Sequence, residues 1–365
     1  MPMVYHRGRR KAIVYADGAY GLPEGKTAHD LVIFNGGLLW DIVAVVDRRN
    51  AGRDAGEVLG IEERGIPVVG SLGDALRYQP SALILGAAPV GGRLPEEWLD
   101  DIERALSLGI DVYSGLHTFL SDIPRLRRAA ESSGARIVDV RKPDPSYLRI
   151  WDGSVLLTRV IRVLVAGTDC DAGKNIVTYT LYEELARRGI RACMVGTGQT
   201  MLLLGARGIV ADAVPSDFVA GAVEKAVVDE AERGCEAIVV EGQAAISHEA
   251  YGHVSLGILR GAAPTHIVIA HVPGRTTRAG FEHAAKPLPV PEPREEILYL
   301  RSLNPYPDMV VAGIALNTSM LGEEDAKRLI EKYSREYLVP VTDPLRFGVS
   351  AVAERILETR VSGTP

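Results

Sequence analysis

Short apolar runs alternate with helix-like segments from one end of the chain to the other, and that alternation leaves few architectures open. A run too short for a helix and apolar throughout suits a strand covered on both faces, as inside a parallel sheet with helical crossovers. In the first part, residues 12–16, 42–46, 67–69, 82–85, 109–113 and 137–140 read as strands, and 28–34, 72–77 and 96–108 as helices. In the second part the strands are 161–166, 192–195, 237–240, 265–270 and 309–316, and the helices 176–188, 217–233 and 323–337. The pattern predicts an α/β protein with mainly parallel sheets. Lys142-Pro-Asp-Pro145 suits a linker, so one domain is expected over 1–150 and another over 151–365. Residues 286–293 hold four prolines and read as a surface loop.

Size and charge narrow the function. At 365 residues the chain can bury two cores, and 47% hydrophobic with 24% charged residues is the balance of a globular protein. A net charge of −6 argues against a nucleic-acid partner. The three cysteines, Cys170, Cys193 and Cys235, form no C-x-x-C pair, so neither a disulfide framework nor a metal centre is expected and a cytoplasmic setting fits. No apolar run approaches the roughly 20 residues that span a bilayer. Arg7, Arg9, Arg10 and Lys11 read as a solvated lead-in to the first strand.

One loop carries most of the chemical information. Gly167-Thr168-Asp169-Cys170-Asp171-Ala172-Gly173-Lys174 follows an apolar strand and precedes a helical run. Strand, glycine loop and helix N-terminus gather backbone N–H groups and a lysine around one point, which is how proteins hold phosphate. The spacing is one residue longer than G-x-x-x-x-G-K-[ST], and Asn175 stands where a hydroxyl would help hold Mg²⁺. Thr168 or Thr178 could substitute for it, and Cys170, among N–H donors, could have a lowered thiol pKa. A small buried residue is the plainer reading of that cysteine.

Other candidates cluster at predicted strand ends. Glu241 and Gln243 follow the strand 237–240, where an acid can hold Mg²⁺, orient water or act as a base, or merely cap a turn. His271 ends another strand and is a general-base candidate; His248 lies in a loop; the spacing of His248, His253, His266 and His271 fits no zinc pattern. Arg275 and Arg278 could clamp an anionic substrate or lie solvated on the surface. Gln199 sits in the turn Thr197-Gly198-Gln199-Thr200, and Asp217 is placed to cap a helix beginning at Phe218. In the first domain, Lys26 and Thr27 close a glycine turn able to take phosphate or carboxylate. Asp47 stands where an acid holds a ribose hydroxyl in dinucleotide folds, though the glycine fingerprint is missing.

Taken together, the 167–174 loop, Thr197-Gly-Gln-Thr200, Asp217-Phe-Val-Ala-Gly-Ala-Val-Glu224, Glu241-Gly-Gln243 and Asp343-Pro-Leu-Arg-Phe-Gly348 resemble one family. Gly25-Lys-Thr-Ala-His29, Val45-Val-Asp47, Gly115-Leu-His117 and Asp139-Val-Arg-Lys-Pro143 extend the resemblance over nearly the whole chain. Its members were long described as of unknown function or as NAD-dependent epimerase/dehydratases, and some are now assigned as D-glutamate N-acetyltransferases. The glycine loop also resembles that of dethiobiotin synthetase, where a threonine follows the lysine. The resemblance implies a Rossmann-like first domain, with His117 near its site, and a P-loop NTPase-like second domain.

Three functions are weighed. The first is acetyl transfer from acetyl-CoA to a small anionic amino acid, D-glutamate in the family, with the loop on the pyrophosphate and Glu241 or His271 as base. The second is ATP–Mg²⁺ activation of a carboxylate or carbamate, and the third a nucleotide-sensing regulator. Assembly into a homo-oligomer is the expectation for an α/β enzyme of this kind.

Overall fold

The computed structural model describes residues 8–87, 94–281, 283–306 and 309–359. Arg7, the first of the expected basic lead-in, lies outside them. The chain divides into two compact units, Met1–Asp144 with Gln199–Gly205, and Pro145–Gly198 with Ala206–Pro365.

The first unit is a parallel six-stranded sheet built from β1 (Arg10–Tyr15), β2 (Trp40–Val46), β3 (Val68–Val69), β4 (Ala82–Leu85), β5 (Asp111–Ser114) and β6 (Ile137–Asp139), in the order β3-β2-β1-β4-β5-β6. Crossovers include α1 (Lys26–Ile33), α2 (Leu99–Ser107) and α3 (Pro124–Ser133). This is the doubly wound Rossmann order, which reverses between β1 and β4. Arg10 is no solvated lead-in. It sits in β1 and pairs with Asp111 at 2.9 Å. The helix Gln199–Leu203 belongs to this unit although its sequence neighbours do not. Trp40 Nε1 donates to Leu203 O at 2.6 Å and Gly37 leaves no room for a Cβ, which would lie 2.3 Å from Leu204 O.

The second unit holds seven parallel strands: β7 (Ile161–Gly167), β8 (Ala192–Gly196), β9 (Arg207–Gly208), β10 (Ala237–Glu241), β11 (His266–His271), β12 (Val310–Leu316) and β13 (Val341–Thr342), ordered β13-β12-β11-β7-β10-β8-β9. Every residue of β7 is buried, and all are apolar but Arg162, whose Nε donates to Ala263 O at 2.8 Å. Its side chains alternate between two cores. Ile161, Val163 and Val165 meet α4 (Lys174–Arg187) through Val177, Leu181 and Leu185. Leu164 and Ala166 face α5 (Ser216–Glu232) and α6 (Gly252–Ala262) through Val219, Val223 and Ile258. Each buried Val, Leu or Ile contributes about 1.5–3 kcal/mol, so a polar residue at Val163 would disrupt the unit at its centre.

Three expectations need correction. Asp217 does not cap a helix at Phe218: α5 starts at Ser216 after Pro215, with Asp217 inside its first turn. The proline-rich segment ends earlier than 293, since Pro293 opens α7 (Pro293–Leu303) behind a capping box of Glu292 and Glu295. Cys193 and Cys235 form a disulfide with Cα atoms 6.0 Å apart, joining β8 to the residue two before β10. Parallel pairing of β8 with β10 brings these two cysteines together, which spacing along the chain does not reveal.

Candidate functional site

The strand order of the second unit sets the carboxyl ends of β10 and β11 on either side of the loop leaving β7, a placement that open α/β sheets use for ligands. The loop is shaped by backbone conformations that ordinary turns avoid. Gly173 has φ 95°, and Asp171, with a side chain, is held at φ 48°. A Cβ at Gly167 would lie 3.2 Å from both Ala270 O and Lys174 Nζ, so a side chain there would crowd β11 and the lysine. Lys174, buried, donates from Nζ to Asp169 O at 2.6 Å, and α4 starts there with its first N–H groups turned towards the loop.

Both expected hydroxyl substitutes are held by hydrogen bonds within the unit. Thr178 Oγ1 donates to Lys174 O at 2.8 Å, one turn into α4, and Thr168 Oγ1 shares a 2.8 Å hydrogen bond with His271 Nδ1. His271 is buried, and desolvation with the nearby Arg275 charge lowers its pKa to about 4. Its Nε2 faces Tyr333 Oη at 3.4 Å, and that hydroxyl donates to Glu292 at 3.1 Å. A neutral ring engaged at both nitrogens is better suited to holding Thr168 than to abstracting protons.

The two arginines grip the loop. Arg278 is 2% exposed; it donates to Thr168 O at 2.9 Å, Ser247 O at 3.0 Å and Glu249 Oε2 at 2.9 Å. Arg275 donates to Cys170 O at 2.7 Å and Asp169 Oδ2 at 3.2 Å. With these contacts Arg278 is a buried tether, not an open clamp for a substrate carboxylate. Glu249, next to His248, was invisible as its partner because residues 249 and 278 meet only in three dimensions.

Glu241 accepts hydrogen bonds on Oε2 from the N–H groups of Thr197 (2.7 Å) and Gly198 (2.8 Å), tying the end of β10 to the turn after β8. Gln243 Nε2 donates to Thr197 Oγ1 at 3.1 Å, and a Cβ on Gly198 would lie 2.8 Å from that nitrogen. Capping of the turn is therefore part of what Glu241 does. Thr197, which the sequence offers only as part of a glycine turn, is thus a partner of both Glu241 and Gln243.

Asp169, Cys170 and His248 come together. A carboxylate oxygen, the sulfur and a ring nitrogen lie within 4.8 Å of one another. His248 Nε2 is 3.8 Å from Asp169 Oδ1, and both buried atoms lack a hydrogen-bond partner. The donor types could in principle hold a metal ion. Two features oppose this. His248 Nδ1 accepts the Ala250 N–H at 3.1 Å, so the neutral ring carries its proton on Nε2, and Lys174, Arg275 and Arg278 crowd the carboxylate and loop with positive charge. The other three-donor group, Cys193, Glu230 and Cys235, has its two sulfurs joined in the disulfide.

The first unit's candidates are placed differently. Asp47 is buried and takes Gly18 N–H on Oδ1 at 2.6 Å, and Asn50 N–H and Nδ2 on Oδ2 at 3.1 and 2.6 Å. That carboxylate closes its own turns instead of presenting itself to a ribose. Thr27 Oγ1 pairs with Thr200 Oγ1 at 2.9 Å, while Lys26 and His117 are exposed. Gln199 accepts from Arg141 at 3.2 Å and packs on Gly115, within this unit.

Among the described residues no helix is long and apolar enough to cross a membrane. A family model described as a domain of unknown function, the DUF1611 C-terminal P-loop domain, matches residues 149–353, and its companion Rossmann-like N-terminal domain matches 48–143. Two curated relatives, from Pseudoalteromonas sp. and Tritonibacter scottomollicae, are 31% and 32% identical over 286 residues, 78% of this chain and 84% of theirs; each is named D-glutamate N-acetyltransferase. The crystal structure of a DUF1611 family protein from Anabaena variabilis is 32% identical, with a TM-score of 0.87 over 96% of this chain and all of that one. With a Rossmann-like parallel sheet, a P-loop parallel sheet and these matches, the chain belongs to the DUF1611 family.

Proposed function

We propose that this protein transfers an acetyl group from acetyl-CoA to the amine of a small anionic amino acid, with D-glutamate the first acceptor to try. The observation that carries the reading is the 167–174 loop: a helix N-terminus and Lys174 offer positive potential to a pyrophosphate, while Asn175 stands where a hydroxyl would help hold Mg²⁺. Such a loop suits a ligand held by its phosphates and reacting at another point. The names of the two relatives point the same way.

In this reading Lys174 and the first turn of α4 bind the pyrophosphate of acetyl-CoA and direct the thioester towards the ends of β10 and β8. Glu241, fixed on Oε2 by two N–H donors, is the proposed base for the acceptor ammonium, which must lose a proton before it can attack. His271 acts through Thr168 as a positioning residue, and Arg275 and Arg278 preserve the loop's shape. The rival reading, ATP–Mg²⁺ chemistry, needs a hydroxyl where Asn175 stands.

The test follows release of free CoA thiol from acetyl-CoA with D-glutamate or L-glutamate. D-glutamate-dependent release that vanishes in a folded Lys174→Ala variant is the expected result. Release with neither isomer, together with tight Mg²⁺-dependent ATP binding, would replace this reading with its rival.

A further inference from the structure

We propose that reduction of the Cys193–Cys235 disulfide opens a binding site for a thiophilic divalent cation of the zinc type, held by the two sulfurs and the Glu230 carboxylate. The bound ion ties β8 to the segment before β10 in place of the disulfide. This site lies at the amino ends of those strands, away from the glycine loop, and does not depend on the acetyl-transfer reading.

The geometry suits such an ion with small movements. Both sulfurs and a Glu230 carboxylate oxygen lie within 4.8 Å of one another. Zinc holds sulfur at about 2.3 Å and carboxylate oxygen at about 2.1 Å, so a tetrahedral site sets two sulfurs about 3.8 Å apart and a sulfur about 3.6 Å from the oxygen. Cys235 Sγ already stands 3.7 Å from Glu230 Oε2. With Cα atoms 6.0 Å apart, the two cysteines have room to open their sulfurs to the required separation.

The fold, and not the disulfide alone, gathers the donors. Cys193 is the second residue of β8, Glu230 lies in the last turn of α5, and Cys235 precedes β10 by two residues. Both cysteines pack in the core shared with Val223 and Val227 of α5, so this packing keeps them close after reduction. Cys235 and Glu230 are buried, while Cys193 is half-buried and gives the ion and a fourth, water ligand a way in.

Charge separates this cluster from the one at Asp169. Two thiolates and a carboxylate leave one surplus negative charge around a divalent ion. Arg233, 2.6 Å from Glu230 Oε1, and Arg207, 3.5 Å from the same oxygen, offset it and leave Oε2 for the metal. At Asp169, one thiolate and one carboxylate already neutralise the ion, and Lys174, Arg275 and Arg278 add positive charge with nothing to oppose it.

The reaction needs a reductant, and a dithiol supplies it. The dithiol gives two electrons and two protons to the Cys193–Cys235 bond and closes its own disulfide, leaving two protein thiols. The cation then binds both sulfurs and displaces their protons to solvent.

The full-length protein is reduced with a phosphine until both thiols are counted, mixed with zinc, desalted and analysed for metal. The expected result is one zinc per reduced chain, with both thiols shielded from alkylation, and none per oxidised chain. Zinc should also return the melting midpoint of the reduced protein towards that of the oxidised one. Glu230→Gln should weaken zinc binding roughly tenfold or more, and Cys170→Ser should leave it unchanged. A Cys193→Ser/Cys235→Ser variant, shown to be folded by circular dichroism, should take up none. Absence of zinc from the reduced wild type overturns the proposal. Zinc retained by the folded double variant, or lost in Cys170→Ser, assigns the ion to another cluster and overturns it too. Wild-type affinity in Glu230→Gln removes the carboxylate and with it the three-donor site.

Discussion

Both units contain a strand, a glycine turn, a Gly-Lys pair and a helix, yet the two turns end in opposite electrostatic states. In the second unit, β7 leads to Gly173-Lys174, and the lysine is buried against Asp169 O with Arg275 and Arg278 closing around the loop. Asp169 Oδ1 and His248 Nε2 are left unspent beside Cys170. In the first unit, β1 leads to Gly25-Lys26, and the lysine is exposed. Asp47 closes on Gly18 and Asn50, Thr27 on Thr200, and Arg48 pairs with Asp17. One turn keeps polar capacity in reserve; the other consumes it in holding the fold. The same short motif therefore marks a place where phosphate could bind, and only the surrounding polar bookkeeping separates a site from a well-tied loop.

Four experiments sharpen or break that contrast, the largest effect first. Arg278→Ala removes a buried cation from Thr168 O, Ser247 O and Glu249, and should cost about 3–5 kcal/mol in a denaturant titration of the second unit. A loss no greater than that of a surface substitution would mean the loop is not clamped from this side. Reducing Cys193–Cys235, which closes a sequence separation of 42 residues, should cost about 4 kcal/mol by loop entropy, with acetyl transfer unaffected at low denaturant. The midpoint with and without reductant, against a Cys193→Ser/Cys235→Ser variant, measures it.

Lys174→Ala should lower turnover by ~10²–10³-fold, the usual consequence of losing one charge-stabilising group. Lys26→Ala, at the matching position of the first unit, should leave turnover unchanged. Equal losses would dissolve the contrast between the turns. The smallest effect of a single substitution concerns acid stability. Burial lowers His29, His266 and His271 to about 4 from 6.5. The unfolded chain takes up protons near 6.5 while the folded rings resist until about 4. Their contribution is thus fully present above pH 6.5 and is lost as pH falls towards 4, by up to about 3 kcal/mol per ring. Replacing His29 by Gln should flatten this dependence for the first unit, followed by hydrogen exchange, and leave the second unit's unchanged.

Much of the second sheet was legible from residues alone, because a parallel strand buried on both faces is mostly apolar, Arg162 being the exception in β7. Residues 161–166 and 237–240 read as strands for that reason, and β7 and β10 are Ile161–Gly167 and Ala237–Glu241. The helix Glu323–Tyr337 was legible from its amphipathic period. The helices Pro124–Ser133, Gly252–Ala262 and Ser350–Glu358 carry weaker local signals, being short or rich in small residues. The two-residue strands Arg207–Gly208 and Val341–Thr342 carry no periodic signal at all; each exists through pairing with one neighbour.

The candidate site divides in the same manner. Phosphate-loop chemistry was readable at 167–174 because its residue types, order and flanking strand and helix are all local. Roles that depend on partners far along the chain were not readable. Glu241 reads as an acid at a strand end, and only the fold puts the N–H groups of Thr197 and Gly198 on its oxygen. Arg278 reads as a substrate clamp or a solvated surface arginine, and only the fold puts its donors on Thr168, Ser247 and Glu249. Cys170 reads as a small inert residue, and only the fold brings His248 beside it from another loop.

By itself the sequence determined the α/β class, the two sheets and the position of the glycine loop, because backbone geometry and side-chain period act over a few residues. Tertiary structure alone decided which polar atoms are satisfied, which cysteines pair and which groups remain available for chemistry. Those outcomes depend on distances between residues that only the packed sheets bring together.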